Sequence, residues 1–314
     1  MNKSALPYFA LMLTSIVWGT TWVASKIGIQ AGIHPLFFSA IRQTFGGLAY
    51  LVFFVAMGKA VWPTAREWRY LCVMSILLFV SSNGLTTWGI KYISSGLASI
   101  IGATFPLFVV VIDWVRGSKH KPNAIATLGV LLGFAGVAII FYEHIYDFAN
   151  ADFTFGIVLS LIAAFTWAVG TVASTTTNIS LNRYYSLGWQ MFLAGVMLTF
   201  ISAASGFAMP LQQVPLTTWY TLAYMVTFGS IITFGAFIYS LQHLPTTLAS
   251  IYAYINPIVA VVLGHYILAE AWSMFLLIGA LVTVLGVYLV NSGFKRAAAG
   301  EEITWKSLLL GRRA

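Results

Sequence analysis

Tryptophan, threonine and serine side chains recur at helical spacing in several apolar segments of the chain. Trp18 and Trp22 lie four positions apart in one segment, and Trp167 precedes Thr171 by the same interval in another. Residues at i and i+4 share one face of a helix, so each pair predicts a stripe of aromatic and hydroxyl groups. Such a surface offers stacking area and orienting hydrogen bonds, which suits reversible binding of a small amphipathic solute.

The full set of candidate binding residues shares this chemistry of aromatic rings, hydroxyl groups and one amide. The candidates are Trp18, Trp22, Asn83, Thr87, Ser99, Trp167, Thr171, Tyr239, Ser250 and Tyr254. A second interpretation stays open for each of them. Small hydroxylated residues also pack membrane helices together, and tryptophans near helix ends also form interfacial belts.

Signatures of catalysis are missing from the sequence. Cys72 is the single cysteine and has no CxxC partner, while the five histidines show neither an HExxH motif nor an i, i+4 pair. The glycines of residues 129–136 do not follow the GxGxxG phosphate-binding pattern and fit helix packing instead. We therefore expect no catalytic residue, no metal site and no cofactor, and the protein is not predicted to be an enzyme.

The composition indicates a membrane protein. Hydrophobic residues make up 60% and charged residues 8% of the chain, and the mean hydropathy is +0.88. Ten continuous apolar segments are long enough to cross a bilayer as helices. They cover residues 7–29, 35–57, 68–90, 95–115, 122–142, 154–174, 185–207, 216–240, 246–268 and 273–292. The alternating pattern of a β-barrel is not seen, so the predicted fold is an all-α integral membrane protein.

The ten segments form two copies of one unit. Residues 88–108 read WGIKYISSGLASIIGATFPLF, and residues 239–259 read YSLQHLPTTLASIYAYINPIV. Two further segment pairs match in the same order at nearly the same offset, which indicates a tandem duplication. We predict a first five-helix repeat at 7–142, a second at 154–292 and a basic cytoplasmic tail at 293–314. For the tail, a short interfacial helix and a disordered segment stay open as alternatives.

Charge distribution predicts the orientation of the repeats. The net charge is +8, and most lysines and arginines fall in alternate loops on the side of the N-terminus, which places both termini in the cytoplasm. Five helices per copy is an odd number, so the second copy enters the membrane from the opposite side. Two inverted repeats are typical of secondary transporters, whose substrate site lies near the bilayer midplane.

Two prolines occupy equivalent positions near the middle of spans four and nine. Pro106 and Pro257 each remove a backbone donor and interrupt the helical hydrogen bonds. Lipid cannot satisfy the freed carbonyl groups, whereas neighbouring helices, hydroxyl groups or water can. We therefore expect both kinked spans beside a central cavity, with a packing kink that touches no ligand as the alternative.

Charged residues within the spans are few. Arg42 lies about seven residues into span two, where it would either attract an anionic solute or extend to the outer interface and bind backbone carbonyls. Asp113 and Glu270 are predicted near span ends, close to water. Because no acidic residue is predicted at the midplane, downhill transport or exchange fits better than a relay of protons on buried carboxylates.

Several of these segments carry the resemblance to a known family. They are WGTTWVASKIGI at 18–29, Pro35 with Arg42, GLASIIGATFPLF at 96–108, TLASIYAYINPIVA at 247–260, and Glu270 ahead of Gly279 and GVYLVN at 286–291. With them the chain resembles the drug/metabolite transporter superfamily in its ten-helix form with two EamA-type domains. The first copy departs from the pattern, since after Pro106 it lacks the glutamate that Glu270 supplies in the second copy.

The resemblance implies an inner-membrane transporter, commonly an exporter of amino acids or related metabolites, with its cavity between the two halves. The expected partners are a small-molecule substrate and the lipid bilayer, with no nucleic acid and an oligomeric state compatible with a monomer. The alternative function is a lipid-handling protein or an enzyme with lateral substrate access. Such a protein needs a cluster of basic residues to bind lipid headgroups. Arg42 alone does not form such a cluster, so we expect a transporter rather than a lipid-handling protein.

Overall fold

The computed structural model describes residues 5–116, 123–177, 179–244 and 252–298, which form a bundle of membrane-length helices. The helices are α1 Leu6–Gln30, α2 Pro35–Ala56, α3 Ala65–Gly89, α4a Ser95–Gly102, α4b Phe105–Val115, α5 Ala124–Glu143, α6 Ala151–Thr176, α7 Arg183–Ala204, α8 Leu216–His243, α9 Tyr252–Leu268 and α10 Met274–Ala298. Nine spans among these residues are long and apolar enough to cross a bilayer, α4a and α4b contributing to one, and α9 is a shorter apolar helix. The described residues contain no β-strand, and the predicted all-α membrane fold is confirmed.

Several helices begin at polar N-cap residues, a few positions before the start that hydropathy alone predicts. At the start of α3 the Thr64 hydroxyl accepts a hydrogen bond from the Glu67 amide, and the Glu67 carboxylate accepts one from the Thr64 amide. Asn150 and Asn182 cap α6 and α7 by accepting hydrogen bonds from amides of the first turn. Each of these helices therefore begins two or three residues earlier than the hydropathy pattern predicts.

Equivalent helices of the two halves pack directly on each other, α2 against α7 and α5 against α10. Glycines allow the backbones to approach closely in both pairs. A β-carbon added at Gly47 would lie 2.7 Å from the carbonyl oxygen of Gly188, and one at Gly136 would lie 2.6 Å from that of Gly279. These two glycine-lined seams hold the halves together on opposite flanks of the bundle.

The remaining helices form the centre of the bundle. Helix α1 packs against α8 and α9 of the second half, while α3, α4a and α4b pack against α6. Each half thus inserts its first helix between two helices of the other half. This exchange places side chains from both repeats around one central space.

Two central helices contain π-helical segments that the sequence did not predict. They cover Ser75–Gly84 in α3 and Met225–Ile232 in α8, and their first residues are 150 positions apart in the duplicated chain. A π-helix widens the turn and changes which backbone groups are paired. The two segments therefore mark equivalent places where α3 and α8 offer backbone groups to neighbouring side chains.

The two prolines have different structural effects although their positions are equivalent. Pro106 lies in the first turn of α4b, directly after a break at residues 103–104 that separates α4a from α4b. Pro257 lies inside the continuous helix α9. Both prolines are buried in the bundle, but only the first one divides its span.

Substitution of Gly47 by alanine should destabilise the bundle, because the added methyl group would force α2 and α7 apart. Overpacking of this kind costs about 1–3 kcal/mol, which should lower the unfolding temperature of the purified protein by several degrees. The matched control is Gly235→Ala, since the nearest atom to a β-carbon at Gly235 is 3.7 Å away. Equal thermal stability of both variants, measured by fluorescence-detected size exclusion after heating, would contradict the close packing.

Candidate functional site

A cavity of about 150 Å³ lies at the centre of the bundle. Its walls come from α1, α2, α3, α4a, α4b, α6, α8 and α9, so both repeats contribute. The volume is below the about 300–1,000 Å³ typical of sites for drug-sized ligands. The cavity therefore suits a small solute.

Arg42 places a cation in the wall of this cavity. The residue is 7% exposed, and its Nε donates a hydrogen bond to the Ser230 hydroxyl at 3.2 Å. Its Nη1 donates to Oδ1 of Asn83 at 3.4 Å. None of the acidic side chains that the structure describes forms an ion pair with Arg42. The guanidinium is therefore oriented by neutral oxygens and keeps a full positive charge beside the cavity.

The π-helical segments supply the groups that hold the polar side chains of the site. The indole Nε1 of Trp18 donates to the carbonyl oxygen of Gly229 at 3.2 Å, and the Tyr50 hydroxyl donates to that of Ile231 at 2.7 Å. In α3 the side-chain Nδ2 of Asn83 donates to the carbonyl oxygen of Leu78 at 3.2 Å. Carbonyl groups of the π-helical segments in both repeats therefore accept hydrogen bonds from side chains.

Aromatic rings form most of the remaining wall. Trp18 makes edge-to-face contacts with Phe234 at 4.9 Å and with Tyr252 at 5.1 Å between ring centroids. Trp22 packs over Gly102, where a β-carbon would lie 2.7 Å from the indole ring. Any larger residue at position 102 would displace Trp22, so the glycine fixes the shape of this wall.

The structure brings together six of the residues singled out from the sequence. Trp18, Trp22, Arg42, Asn83, Ser99 and Trp167 all line the cavity. For Arg42 the geometry disagrees with extension to the outer interface, because its donors meet Ser230 and Asn83 inside the bundle. Whether the six residues contact a substrate stays a prediction.

Four other candidates do not line the cavity. Thr87 is buried and donates to the carbonyl oxygen of Asn83 at 2.8 Å, and Thr171 donates to that of Trp167 at 2.8 Å. Both hydroxyl groups are thus satisfied within their own helices. Tyr239 stacks on His243 in the last turns of α8, and the fourth candidate is Tyr254 of α9.

Tyr254 faces α10 rather than the cavity. Its hydroxyl donates to the carbonyl oxygen of Val287 at 3.2 Å and contacts Asn291, both in α10. Tyr252 and Asn256, also spaced i, i+4, face the cavity instead. Two aromatic and polar stripes run along this helix, and spacing alone does not say which one turns inward.

Four further candidates are not seen in the lining: the structure does not describe the side chains of two, and two lie next to lining residues. Ser250 is outside the described residues, and so is the side chain of Asp113. Pro106 and Pro257 are not part of the lining, although each directly follows a residue that is, Phe105 and Asn256.

Several lining residues were not selected from the sequence. They are Ser82, Thr86, Phe105, Phe234, Tyr252 and Asn256. Thr86 and Ser82 share an i, i+4 stripe that pattern analysis could have found, whereas Phe234 lies in an apolar run with no distinguishing signal.

Glu270 joins the two halves at one end of the cavity. Its carboxylate accepts hydrogen bonds from the Ser95 amide at 2.7 Å and the Ser95 hydroxyl at 2.8 Å, and it lies 3.4 Å from Nζ of Lys26. Gly264 leaves room for it, since a β-carbon there would collide with the carboxylate. Glu270 was expected close to water, but its side chain is only 12% exposed, because the start of α4a and the end of α1 cover it.

His34 lies at the same end, in the loop between α1 and α2. Its ring stacks on Phe207 with 3.7 Å between centroids, and its Nδ1 accepts a hydrogen bond from the Leu36 amide at 3.3 Å. Burial, and secondly the nearby charge of Lys91, lowers the pKa of His34 to about 4. The ring is therefore neutral near pH 7, and it acts here as an aromatic cap on α2.

Comparisons with known proteins agree with this architecture. The EamA-like transporter family matches the chain twice, at residues 5–142 and 154–292. The "Uncharacterized inner membrane transporter YedA" of Escherichia coli (strain K12) is 29% identical over 93% of this chain and 92% of its own length. The "Uncharacterized transporter YoaV" of Bacillus subtilis (strain 168) is 26% identical over 91% of this chain and 97% of its own.

A solved structure that is named only "Crystal structure of protein" has the same fold. It superposes with a TM-score of 0.64 at 15% identity and covers 92% of this chain and 98% of its own. The two family matches cover both halves of the bundle. The chain belongs to the EamA-like transporter family, in the drug/metabolite transporter superfamily, and is a membrane transporter built from two repeats.

Proposed function

We propose that the protein is a secondary transporter that exports small organic metabolites, with amino acids or related compounds first, by alternating access. The observation that carries this proposal is the central cavity between the two halves, whose walls come from both repeats. Movement of one half against the other would expose such a cavity to each side in turn.

The lining supports a carboxylate-bearing substrate with an apolar body. Trp18, Trp167 and Tyr252 offer ring faces and edges for stacking or apolar contact. Arg42 offers a charged donor of the geometry that a carboxylate matches. Amino acids and related compounds fit this combination of one anionic group and a small side chain.

Orientation and direction rest on charge and on the relatives. Basic residues concentrated on the side of the termini support cytoplasmic termini, and the name of the Escherichia coli relative supports an inner-membrane location. Export is supported by the resemblance to exporters of the superfamily. Acidic residues are missing from the described lining of the cavity, which supports exchange or downhill transport over a proton relay.

The Glu270 contact supports a conformation that is closed toward the outside. It links the end of α1 and the start of α4a to the segment after α9, on the side that the positive-inside rule makes extracellular. Outward opening would require these charge-assisted hydrogen bonds to break. In this proposal Glu270 stabilises the inward-facing or occluded state.

A laterally open groove offers little support for the lipid-handling alternative. It lies between α4b, α5 and α6 and is lined by apolar side chains, including Phe108, Phe134 and Phe165. No charged side chain is among its described lining residues, so a lipid headgroup would find no partner there. We therefore expect the protein not to scramble phospholipids.

Transport should depend on the tryptophans of the cavity. We expect saturable uptake of labelled amino acids into proteoliposomes, reduced about tenfold or more in Trp18→Ala and Trp167→Ala, since a buried aromatic side chain contributes about 1.5–3 kcal/mol. Labelled nucleosides and organic cations complete the panel. Trp114→Ala is the control, because Trp114 is 67% exposed and outside the lining. Scrambling of phospholipids without solute flux by the folded protein would refute the transporter.

Weakening the Glu270 contact should open the cavity to the outside. In a Cys72→Ala background with Thr86→Cys in the lining, Glu270→Gln should raise the labelling rate by an extracellular, membrane-impermeant thiol reagent about tenfold. The reason is the loss of charged hydrogen bonds that contribute about 1.5–3 kcal/mol. Asp152→Asn removes an exposed charge from the same predicted side as the control. An unchanged labelling rate in Glu270→Gln would show that the contact does not hold this end closed.

A further inference from the structure

The described lining of the cavity carries one positive charge and no negative charge. Arg42 is the only charged residue among the described residues of the lining. Its Nε and Nη1 donate to Ser230 and Asn83, while its Nη2 forms no hydrogen bond to any described residue. Arginine has five N–H donors in a planar fork, so these two bonds leave the remaining donors without a partner among the described residues.

A buried guanidinium without a counter-ion would be stabilised by an anionic ligand. Burial of an unpaired charge is unfavourable, and the pairing that relieves it best is bidentate bonding to a carboxylate or a similar planar anion. A monocarboxylate at Nη2 would bring the net charge of the occupied cavity from +1 to zero.

An amino group on the same solute gains no anionic partner in the described lining. An ammonium ion needs an anionic or a strongly polar acceptor when it leaves water, and the described lining holds no carboxylate. Oδ1 of Asn83 already accepts from Arg42. A zwitterion would therefore leave the occupied cavity with its net charge of +1, whereas the same molecule without the amine leaves it neutral.

The rest of the wall suits an uncharged body. Trp18, Trp22, Phe105 and Tyr252 present aromatic surface, and the volume of about 150 Å³ limits that body to about one ring or a short aliphatic chain. A solute with a carboxylate at one end and an apolar group at the other would match both parts of the cavity.

We propose, on the basis of the proposed transport function, that the cavity recognises its substrate through the carboxylate alone and binds small aromatic or aliphatic monocarboxylates whether or not they carry an amino group. Arg42 is the specificity-determining residue in this proposal. Asn83 and Ser230 are positioning residues, because they hold the guanidinium and leave Nη2 directed at the solute.

The test compares three molecules that share a phenylethyl body. Phenylalanine carries carboxylate and amine, 3-phenylpropionate the carboxylate only, and phenethylamine the amine only. Binding to the purified full-length protein in nanodiscs at pH 7 is measured by calorimetry, which avoids passive permeation of the probes. We expect 3-phenylpropionate to bind at least as tightly as phenylalanine, and phenethylamine to bind at least tenfold more weakly than both.

Variants assign the effect to Arg42. Arg42→Gln should weaken 3-phenylpropionate binding at least tenfold, Arg42→Lys should retain part of it, and Arg66→Gln should leave it unchanged because Arg66 is exposed and outside the lining. Thermal unfolding confirms that each variant is folded. Equal binding of 3-phenylpropionate by Arg42→Gln and by the unaltered protein would overturn the role of Arg42.

The outcomes separate this inference from the transport function. Binding of phenylalanine with at least tenfold weaker binding of 3-phenylpropionate would overturn the inference and leave the transporter in place. Failure of the folded protein to bind either carboxylate would also overturn it, whereas the flux panel tests transport independently. Binding of 3-phenylpropionate without flux of any solute would support the site and refute the transport function.

Discussion

The arrangement of this protein depends on one constraint, the burial of a guanidinium inside a membrane bundle. Arg42 is 7% exposed, and lipid offers it neither water nor counter-ion. The bundle satisfies part of the group with Ser230 and Asn83, which belong to the π-helical segments of α8 and α3. The π-helical segment of α8 also supplies the carbonyl groups that accept hydrogen bonds from Trp18 and Tyr50. The charge, the irregular backbone and the aromatic wall are thus joined in one network of contacts around the cavity.

The two duplicated halves differ in their buried charged residues. Helices α2 and α7 begin at Pro35 and Arg183, 148 positions apart, and at that offset Arg42 corresponds to Gln190. Glu270, which joins the two halves, likewise has no glutamate counterpart after Pro106 in the first repeat. Glycine seams and π-helical segments are retained in both halves, because both need the same packing. The duplicated scaffold therefore carries one charged group in the described lining of the cavity and one buried Lys26–Glu270 contact.

Sequence patterns predicted the scaffold better than the site. Length and hydropathy define ten spans, and the stripe of Trp18 and Trp22 marks the face of α1 that lines the cavity. The π-helical segments leave no such mark, since their side chains follow ordinary helical patterns and only the hydrogen bonding differs. On α9 the two stripes of Tyr252 and Tyr254 are equivalent in type and spacing. Only packing against α10 distinguishes them.

A high-resolution structure of the protein in nanodiscs with a saturating small carboxylate would show directly whether Arg42 binds the solute. We expect ligand density between the Trp18 ring and Arg42, with a carboxylate oxygen within hydrogen-bond distance of Nη2. A structure in which Nη2 is paired with a protein carboxylate, or in which the ligand occupies another place while the central cavity contains only water, would contradict this expectation.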